Sequence, residues 1–193
     1  MPPIYSVAVF CGSKFGHDPI FREAAAAFGT GLAQAGIRLV FGAGRVGLMG
    51  VLADATLAAG GHVIGVVPDF LRRWEVAHDG LTELLITDSM HARKTKMFEL
   101  SDAAVMLPGG LGTLDETIEL ITWRQLRLHD KPIILCDVAG STAPLIAAIE
   151  ATIANGFALP EVRRLYTVAD GVVETLRLLD KLVTGPSEAV ERL

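Results

Sequence analysis

The feature that most constrains the fold is the stretch AAVMLPGGLGTLDE at residues 103–116. It begins with a short apolar run, which is typical of a buried strand. Four residues that break regular structure follow within five positions: Pro108, Gly109, Gly110 and Gly112. Thr113, with Glu116 three residues later and apolar residues beyond, predicts a helix that begins with a capping box. The stretch therefore predicts a strand, a glycine loop and a helix N-terminus in direct succession.

Such a succession is typical of an anion-binding site. The first N–H groups of a helix have no partner inside the helix, and the helix dipole adds partial positive charge at that end. Glycines let a phosphate approach the backbone because no Cβ stands in the way. No Gly-Lys-Ser or Gly-Lys-Thr follows, which excludes a Walker A loop. We therefore expect a phosphate site of another kind, with the carboxylate of Glu116 one helical turn further on.

Short apolar runs alternate with segments of helical spacing along the chain. The predicted strands cover residues 7–10, 39–41, 63–67, 84–86, 103–107 and 132–135, and the predicted helices cover 19–35, a segment ending near 59, 89–100, a segment from 113, 143–155 and 172–182. This alternation predicts an α/β, Rossmann-like fold of three layers, with a mostly parallel sheet and helices on both faces. We expect a single nucleotide-binding α/β domain over residues 1–183 and a C-terminal tail over 184–193.

Other loops are expected to lie next to the glycine loop in the folded chain. Ligands of parallel sheets bind at the carboxyl ends of the strands. Residues 11–13, 42–50 and 109–116 each come after a predicted strand, and Glu75 follows another in the irregular segment 69–82. We therefore expect one composite site at a single edge of the sheet.

The amino-acid composition restricts which binding partners and which cellular compartment we expect for the protein. The chain carries 17 basic and 22 acidic residues, a net charge of −5, so we predict no nucleic-acid partner. Hydrophobic residues make up 51% of the chain. No uncharged run approaches the roughly 18–20 residues of a membrane span, so we predict no membrane partner, and the apolar excess favours a homodimer instead. The N-terminus carries no secretion signal, and Cys11 and Cys136 are expected to be reduced and buried, which predicts a cytoplasmic protein.

A second glycine-rich segment needs a separate interpretation. Residues 42–47 match GxGxxG, the fingerprint of dinucleotide-binding loops. However, His62 occupies the position of the expected acidic residue, and the match follows the second predicted strand rather than the first. NAD binding is therefore disfavoured, and close packing explains some of these glycines. The histidines and cysteines show no metal-ligand spacing, and no GxSxG elbow is present, so we predict neither a metal site nor a serine hydrolase.

The candidate charged residues also have purely structural interpretations. The capping box would by itself account for Glu116. Arg93, Lys94 and Lys96 lie on one predicted helix and could form its solvated face. For Glu116 the two interpretations are compatible, because a residue in the first turn of a phosphate-binding helix also faces the ligand.

Several motifs extend from about residue 6 to residue 179. They are FCGS at 10–13, VGLMG at 46–50, GVVP at 65–68, EVAH at 75–78, DSMHARK at 88–94, PGGLGTLDE at 108–116, TW at 122–123 and HDKP at 129–132. Together they resemble the LONELY GUY (LOG) family of cytokinin riboside 5′-monophosphate phosphoribohydrolases, once often labelled lysine decarboxylases, whose motif is PGGxGTxxE. Two positions depart from the family pattern, since Ala43 replaces a frequent glycine and Asp115 stands where glutamate is common.

The resemblance implies an enzyme that hydrolyses the N-glycosidic bond of an adenosine 5′-monophosphate, with or without an N6 substituent. The products would be the free base, cytokinin or adenine, and ribose 5-phosphate. It implies Glu116 and Arg93 as catalytic residues. The implied substrate-binding residues are Ser13, Glu75, Met90, Lys94, Gly109, Gly110, Gly112, Thr113 and Thr122.

The resemblance implies no metal or redox cofactor. Two alternatives stay open. The first is a nucleotide-binding protein without turnover. The second is a decarboxylase, which would ordinarily need pyridoxal phosphate and a Schiff-base lysine, here Lys94 or Lys96.

Overall fold

The computed structural model describes residues 4–72 and 77–181. These residues contain seven strands: β1 Ser6–Phe10, β2 Arg38–Phe41, β3 Val63–Pro68, β4 Glu83–Thr87, β5 Ala103–Met106, β6 Ile133–Asp137 and β7 Thr167–Asp170. The helices are α1 Pro19–Gln34, α2 Gly47–Ala58, α3 Asp69–Arg72, α4 Met90–Glu99, α5 Leu111–Gln125, α6 Ala143–Ala154 and α7 Gly171–Lys181, with a 3₁₀ helix at Pro160–Arg164. All strands join one sheet in the order β4-β3-β2-β1-β5-β6-β7, and every neighbouring pair is parallel.

A hydrophobic core lies on each face of the sheet. In β1 the side chains of Val7 and Val9 enter one core, and those of Ala8 and Phe10 enter the other. Buried side chains of α1, α2 and α7 complete the first core, and side chains of α4, α5 and α6 complete the second. Burial on both faces explains why the central strands are almost entirely apolar. The three-layer, Rossmann-like α/β fold predicted from the sequence is confirmed.

The order in which strands are added to the sheet reverses at the boundary between β1 and β5. From β1 the strands proceed outward to β4, and β5 then pairs with the free side of β1. The loops that follow these two strands are tied together, because Gly12 N donates to Pro108 O at 3.0 Å and Leu107 N donates to Phe10 O at 2.9 Å. A crevice outside the carboxyl ends of two such strands is the usual ligand site of open α/β sheets.

The sequence patterns missed some elements and left others untested. Strand β7 is short and mostly exposed at the edge of the sheet, so it carries no apolar run to reveal it. The segment 69–82, predicted to be irregular, begins with the four-residue helix α3. Glu75 and the tail predicted over 184–193 lie outside the described residues. Across the described ranges, the structure contains no helix with the length and apolarity that a membrane crossing requires.

Candidate active site

The glycine loop after β5 leads straight into α5, which begins at Leu111 with Gly110 as its N-cap. The predicted capping box is therefore wrong. Thr113 is the third residue inside the helix, and its side chain is buried, so it cannot cap the first turn. No side chain of the described residues caps this N-terminus, which leaves the N-terminal N–H groups of α5 to a ligand or to water. Capping consequently gives no structural explanation for Glu116, the sixth residue of the helix.

The three glycines of this loop differ in their surroundings. A Cβ on Gly109 would overlap Thr113 Oγ1 and approach Gly12 N to 2.9 Å, so this glycine is required by packing. Among the described residues, a Cβ on Gly110 or Gly112 would meet no atom within 4 Å apart from its own neighbours along the chain and helix. Gly110 and Gly112 therefore leave open space beside the helix N-terminus, as a phosphate-binding loop requires.

A cleft of about 490 Å³ lies beside this loop, at the point where β1 and β5 meet. The first loop contributes Gly12, Ser13 and Lys14, and the second contributes Gly109 and Gly110. The predicted convergence of these two loops is thus confirmed. Lys14 was not identified from the sequence, because a lone exposed lysine in a loop carries no motif.

Glu116 lies half-buried near the carboxyl end of β1. Burial raises the pKa of the Cys11 thiol far above its usual value, and the nearby negative charge of Glu116 raises it further. Cys11 directly follows β1, so the charge of Glu116 acts on a residue at the edge of the sheet where the loops meet. A buried thiol whose pKa is raised in this way is inert rather than a nucleophile.

Arg93 is buried, with only 6% of its surface exposed, so the solvated-face interpretation is wrong for this residue. Its helix α4 begins at Met90 behind Ser89, whose Oγ accepts from Ala92 N at 3.1 Å. The Arg93 guanidinium donates through Nη2 to Gly42 O at 3.2 Å and through Nη1 to Met90 Sδ at 3.8 Å. Within the described ranges, its Nε has no hydrogen-bond partner. A buried cation with an unused donor is costly unless a ligand supplies the acceptor.

Lys94 joins α4 to α5. Its Nζ lies 2.7 Å from Asp115 Oδ2 and 3.1 Å from Glu119 Oε2. Burial alone would lower the pKa of the Lys94 ammonium, but hydrogen bonds to Asp115 and Glu119 raise it above its usual value. Glu119 could not be identified from the sequence as a partner of Lys94, because the contact joins two different helices. Lys96 pairs with Glu99 at 3.3 Å on the exposed side of α4, where the solvated-face interpretation is confirmed.

At the glycines of residues 42–50, other atoms of the protein occupy the space that a side chain would take. A Cβ on Gly42 would overlap Arg93 Nη2, and one on Gly50 would overlap Arg45 O. Gly47 has a φ of 71°, and a Cβ there would overlap the backbone of Ser13 and Lys14. The GxGxxG match is therefore explained by close packing around the site rather than by a dinucleotide.

Several predicted site residues lie apart from the cleft or cannot be placed. Thr122 is exposed on α5, and its Oγ1 donates to Ile118 O at 2.8 Å. It follows Glu116 by six residues, or about 9 Å along the helix. Met90 contacts Arg93 through its sulfur. Glu75 lies outside the described residues. Among the residues that the structure describes, no group of three or more His, Cys, Asp or Glu side chains could hold a metal ion.

Comparison with known proteins identifies the family of the chain. A family model described as "Possible lysine decarboxylase" matches residues 49–179. A probable cytokinin riboside 5′-monophosphate phosphoribohydrolase of Oryza sativa subsp. japonica is 43% identical over 183 residues, which cover 95% of this chain and 74% of that protein. The cytokinin riboside 5′-monophosphate phosphoribohydrolase of Rhodococcoides fascians is 42% identical over 180 residues, covering 91% of each. The chain belongs to the LOG family.

Solved structures confirm the LOG-like fold without adding to function. The molybdenum cofactor binding protein of Rippkaea orientalis superposes with a TM-score of 0.70 over 94% of this chain and 97% of that one. Its sequence identity is 21%, so the likeness concerns the fold alone.

The two departures from the LOG pattern have visible structural roles. Ala43 adopts a φ of 63°, which favours glycine. Gly65 makes room for it, because a Cβ on Gly65 would lie 2.7 Å from the Ala43 methyl. Asp115 reaches Lys94 Nζ at 2.7 Å, so the shorter acid forms a close ion pair.

Proposed function

We propose that this chain hydrolyses the N-glycosidic bond of adenosine 5′-monophosphate or its N6-substituted forms, releasing adenine or a cytokinin base and ribose 5-phosphate. The observation that carries the proposal is the N-terminus of α5, which no side chain of the described residues caps and which borders the cleft at Gly110 and Leu111. A nucleotide phosphate supplies acceptors for its N–H groups. The names of the LOG relatives support this reaction class.

The substrate phosphate binds at the N-terminus of α5 in this proposal. The backbone N–H groups of Gly109, Gly110, Gly112 and Thr113 donate to it, and the exposed Ser13 lies across the cleft. The helix dipole favours the negative charge at this end. Because these donors find no comparable acceptor on a bare nucleoside, the 5′-phosphate is required.

The chemical step needs a carboxylate and a cation on opposite sides of one bond. As the bond from the ribose C1′ to the base nitrogen breaks, the sugar becomes an oxocarbenium-like cation, which the negative charge of Glu116 stabilises. Glu116 also orients a water molecule and takes one of its protons while the water oxygen bonds to C1′. Arg93 stabilises the negative charge that develops on the departing base, which takes up a proton from the solvent to leave as the neutral product. Glu116 then releases to the solvent the proton that it took from the water.

The remaining predicted residues support this reaction less directly. Lys94 is held by two carboxylates of α5, Asp115 and Glu119, so its role is to hold α4 against α5. Met90 packs on Arg93 and borders the base. Glu75 lines the pocket in the proposal, as the family resemblance implies.

Lys94 also bears on the decarboxylase alternative. A Schiff-base lysine must lose its proton to attack a carbonyl. The carboxylates around Lys94 raise the pKa of its ammonium, and Lys96 lies on the solvated side of α4, paired with Glu99. Neither lysine suits this role. A nucleotide-binding protein without turnover remains the alternative that the experiment below must exclude.

We also propose that the chain forms a homodimer through α5. Three large apolar side chains lie exposed on or next to this helix: Leu111, Ile118 and Leu126, with exposures of 86%, 38% and 63%. Thr122 lies between them and would then face the partner chain. Light scattering that gives a 20.5 kDa particle at micromolar concentration would contradict the dimer.

Cytoplasmic localisation stays a prediction, supported by the free, buried thiols of Cys11 and Cys136.

The decisive test is Glu116→Gln. Because glutamine keeps the length of the side chain and its ability to form hydrogen bonds, the melting temperature and the affinity for AMP should stay close to those of the unchanged protein. Loss of the negative charge should lower kcat for base release by a factor of about 10² to 10⁴, or about 3–5 kcal/mol. Glu99→Gln, an exposed carboxylate on α4, is the matched control and should keep full activity.

A stable Glu116→Gln variant that binds AMP and still turns over within a few-fold of wild type would exclude the catalytic role. Wild-type protein that binds AMP without releasing base would establish the silent binder instead. Comparable kcat/KM for adenosine and AMP would exclude the phosphate site.

A further inference from the structure

A cation–aromatic cluster connects α4 and α5 on the side away from the cleft. It consists of Phe98 on α4, Trp123 on α5, and His129 and Lys131 in the turn between α5 and β6. We call these four residues the α4–α5 brace. The Phe98 ring contacts Trp123 edge-on, with a centroid distance of 5.5 Å, and His129 at 4.9 Å.

Lys131 holds the end of α4. Its Nζ donates to Phe98 O and to Ser101 O, each at 2.7 Å, and lies 3.9 Å from the centre of the Phe98 ring. The last carbonyls of a helix carry partial negative charge and lack partners inside the helix. The ammonium of Lys131, in the turn that follows α5, therefore supplies a hydrogen-bond donor to the C-terminal end of α4.

His129 holds α5 to the same turn. Its Nε2 lies 3.0 Å from Leu120 O, and its Nδ1 accepts from Lys131 N at 3.1 Å. Both ring nitrogens are engaged, which fixes the orientation of the ring. The imidazole thus joins the middle of α5 to the residue that caps α4.

The brace lies close in sequence to the two catalytic candidates. Leu120 follows Glu116 by four residues, which is about one helical turn. Phe98 follows Arg93 by five residues on α4. The two helices pack on different strands, since α4 contacts β3 and β4 whereas α5 contacts β1. Side chains that join them therefore influence how Arg93 and Glu116 face each other.

We propose that Lys131 and His129 are positioning residues, which hold α4 and α5 so that Arg93 and Glu116 meet at one glycosidic bond. The inference rests on the proposed function. Small displacements of catalytic groups reduce the rate more than they reduce substrate binding, and an error of about 1 Å can cost as much as 10²-fold. The brace should therefore affect kcat rather than KM.

The test is Lys131→Met, which keeps the length of the side chain and removes the ammonium. We expect kcat for base release from AMP to fall about tenfold, with KM within about twofold of wild type. Lys131→Arg, which restores the donors, should recover most of kcat. Lys96→Met is the matched control, because it removes an exposed lysine from α4 and should leave both constants unchanged.

A second arm separates positioning from general destabilisation. In an Arg93→Lys background the guanidinium that the brace positions is already lost, so adding Lys131→Met should lower kcat no further. If the two losses multiply, or if Lys131→Met alone leaves kcat unchanged in an active enzyme, the inference is wrong. If Lys131→Met does not fold, His129→Leu, which removes the link to Leu120, carries the same expectations. Wild-type protein that releases no base would overturn the proposed function first, and the positioning role with it.

Discussion

The loop after β2 and the loop after β5 are both rich in glycine, and both lie at the carboxyl edge of the sheet. In the first, the missing side chains of Gly42, Gly44, Gly47 and Gly50 leave room for other parts of the protein. In the second, Gly110 and Gly112 leave space that no protein atom within 4 Å fills. The glycines of the first loop therefore allow the protein to pack closely around the site, whereas those of the second loop leave space for a ligand.

The contrast explains why glycine patterns alone identify binding loops poorly. The first loop matches the dinucleotide fingerprint letter by letter, yet its Gly42 accommodates the guanidinium of Arg93. The second matches no general phosphate-binding pattern, yet it precedes an uncapped helix N-terminus. The two loops differ in whether protein atoms lie where a Cβ would be. Only the tertiary structure shows this difference.

Gly47→Ala should give the largest effect. A φ of 71° costs alanine about 1–2 kcal/mol, and the added methyl would overlap the Ser13 backbone, so the loop must move. We expect the free energy of unfolding to fall by about 3 kcal/mol or more, measured by urea denaturation. Gly36→Ala is the matched control, because Gly36 has a φ of 68° but no neighbour within 4 Å, and it should lose only about 1–2 kcal/mol. Equal losses would show that the loop has room after all.

Gly42→Ala should damage activity more than stability. The methyl would displace the end of the Arg93 side chain, which can move at moderate cost but would leave its position above Gly42 O. We expect kcat for AMP to fall about 10²-fold, or about 2.7 kcal/mol, while the free energy of unfolding falls by about 1.5–2 kcal/mol, because the displaced guanidinium loses its buried hydrogen bond to Gly42 O. Gly44→Ala, whose methyl would meet the flexible end of Met49, serves as the control with near-normal kcat. Unchanged kcat in Gly42→Ala would separate the first loop from catalysis.

Gly110→Ala should weaken AMP binding and leave the fold nearly unchanged. The new methyl meets no protein atom, so the fold should lose less than about 1 kcal/mol, the usual cost of a poorer N-cap. It would stand in the cleft where we place the phosphate, and we expect AMP affinity to fall about tenfold, or about 1.4 kcal/mol. Calorimetry with AMP and with adenosine checks this, because only the phosphate-dependent part should be lost. An equal loss for both ligands would move the phosphate elsewhere.

The sequence was most informative where burial leaves a simple pattern. Strand β5 is apolar throughout and β1 is apolar after Ser6 because helices cover both faces, and their loops contain the residues that the family motif marks. Strand β7 escaped notice because an exposed edge strand needs no such run. The capping box failed for a different reason, since Gly110 lets the helix begin two residues before Thr113.

The side-chain partners of the site could not be read from the sequence. Arg93 binds a backbone carbonyl 51 residues away, and a carbonyl leaves no signature in the residue type. Lys94 finds its two carboxylates on the next helix of the same layer. Local spacing predicts which residues share a helix face, but these contacts depend on how two helices are placed on the sheet.

The smallest expected effect concerns Ala43, the one position of the first loop where a side chain replaces the frequent glycine of the family. Its φ of 63° stores about 1–2 kcal/mol of strain, but its buried methyl packs in the space that Gly65 leaves and contributes about 0.8 kcal/mol. The two terms nearly cancel, so Ala43→Gly should change the free energy of unfolding by less than about 1 kcal/mol. Ala139→Gly relieves a φ of 52° at an exposed position, where no packing is lost, and should gain about 1–2 kcal/mol in the same denaturation experiment. An equal gain for both variants would mean that the Ala43 methyl contributes nothing to the loop, and a loss above about 1 kcal/mol for Ala43→Gly would mean that packing against Gly65 outweighs the strain.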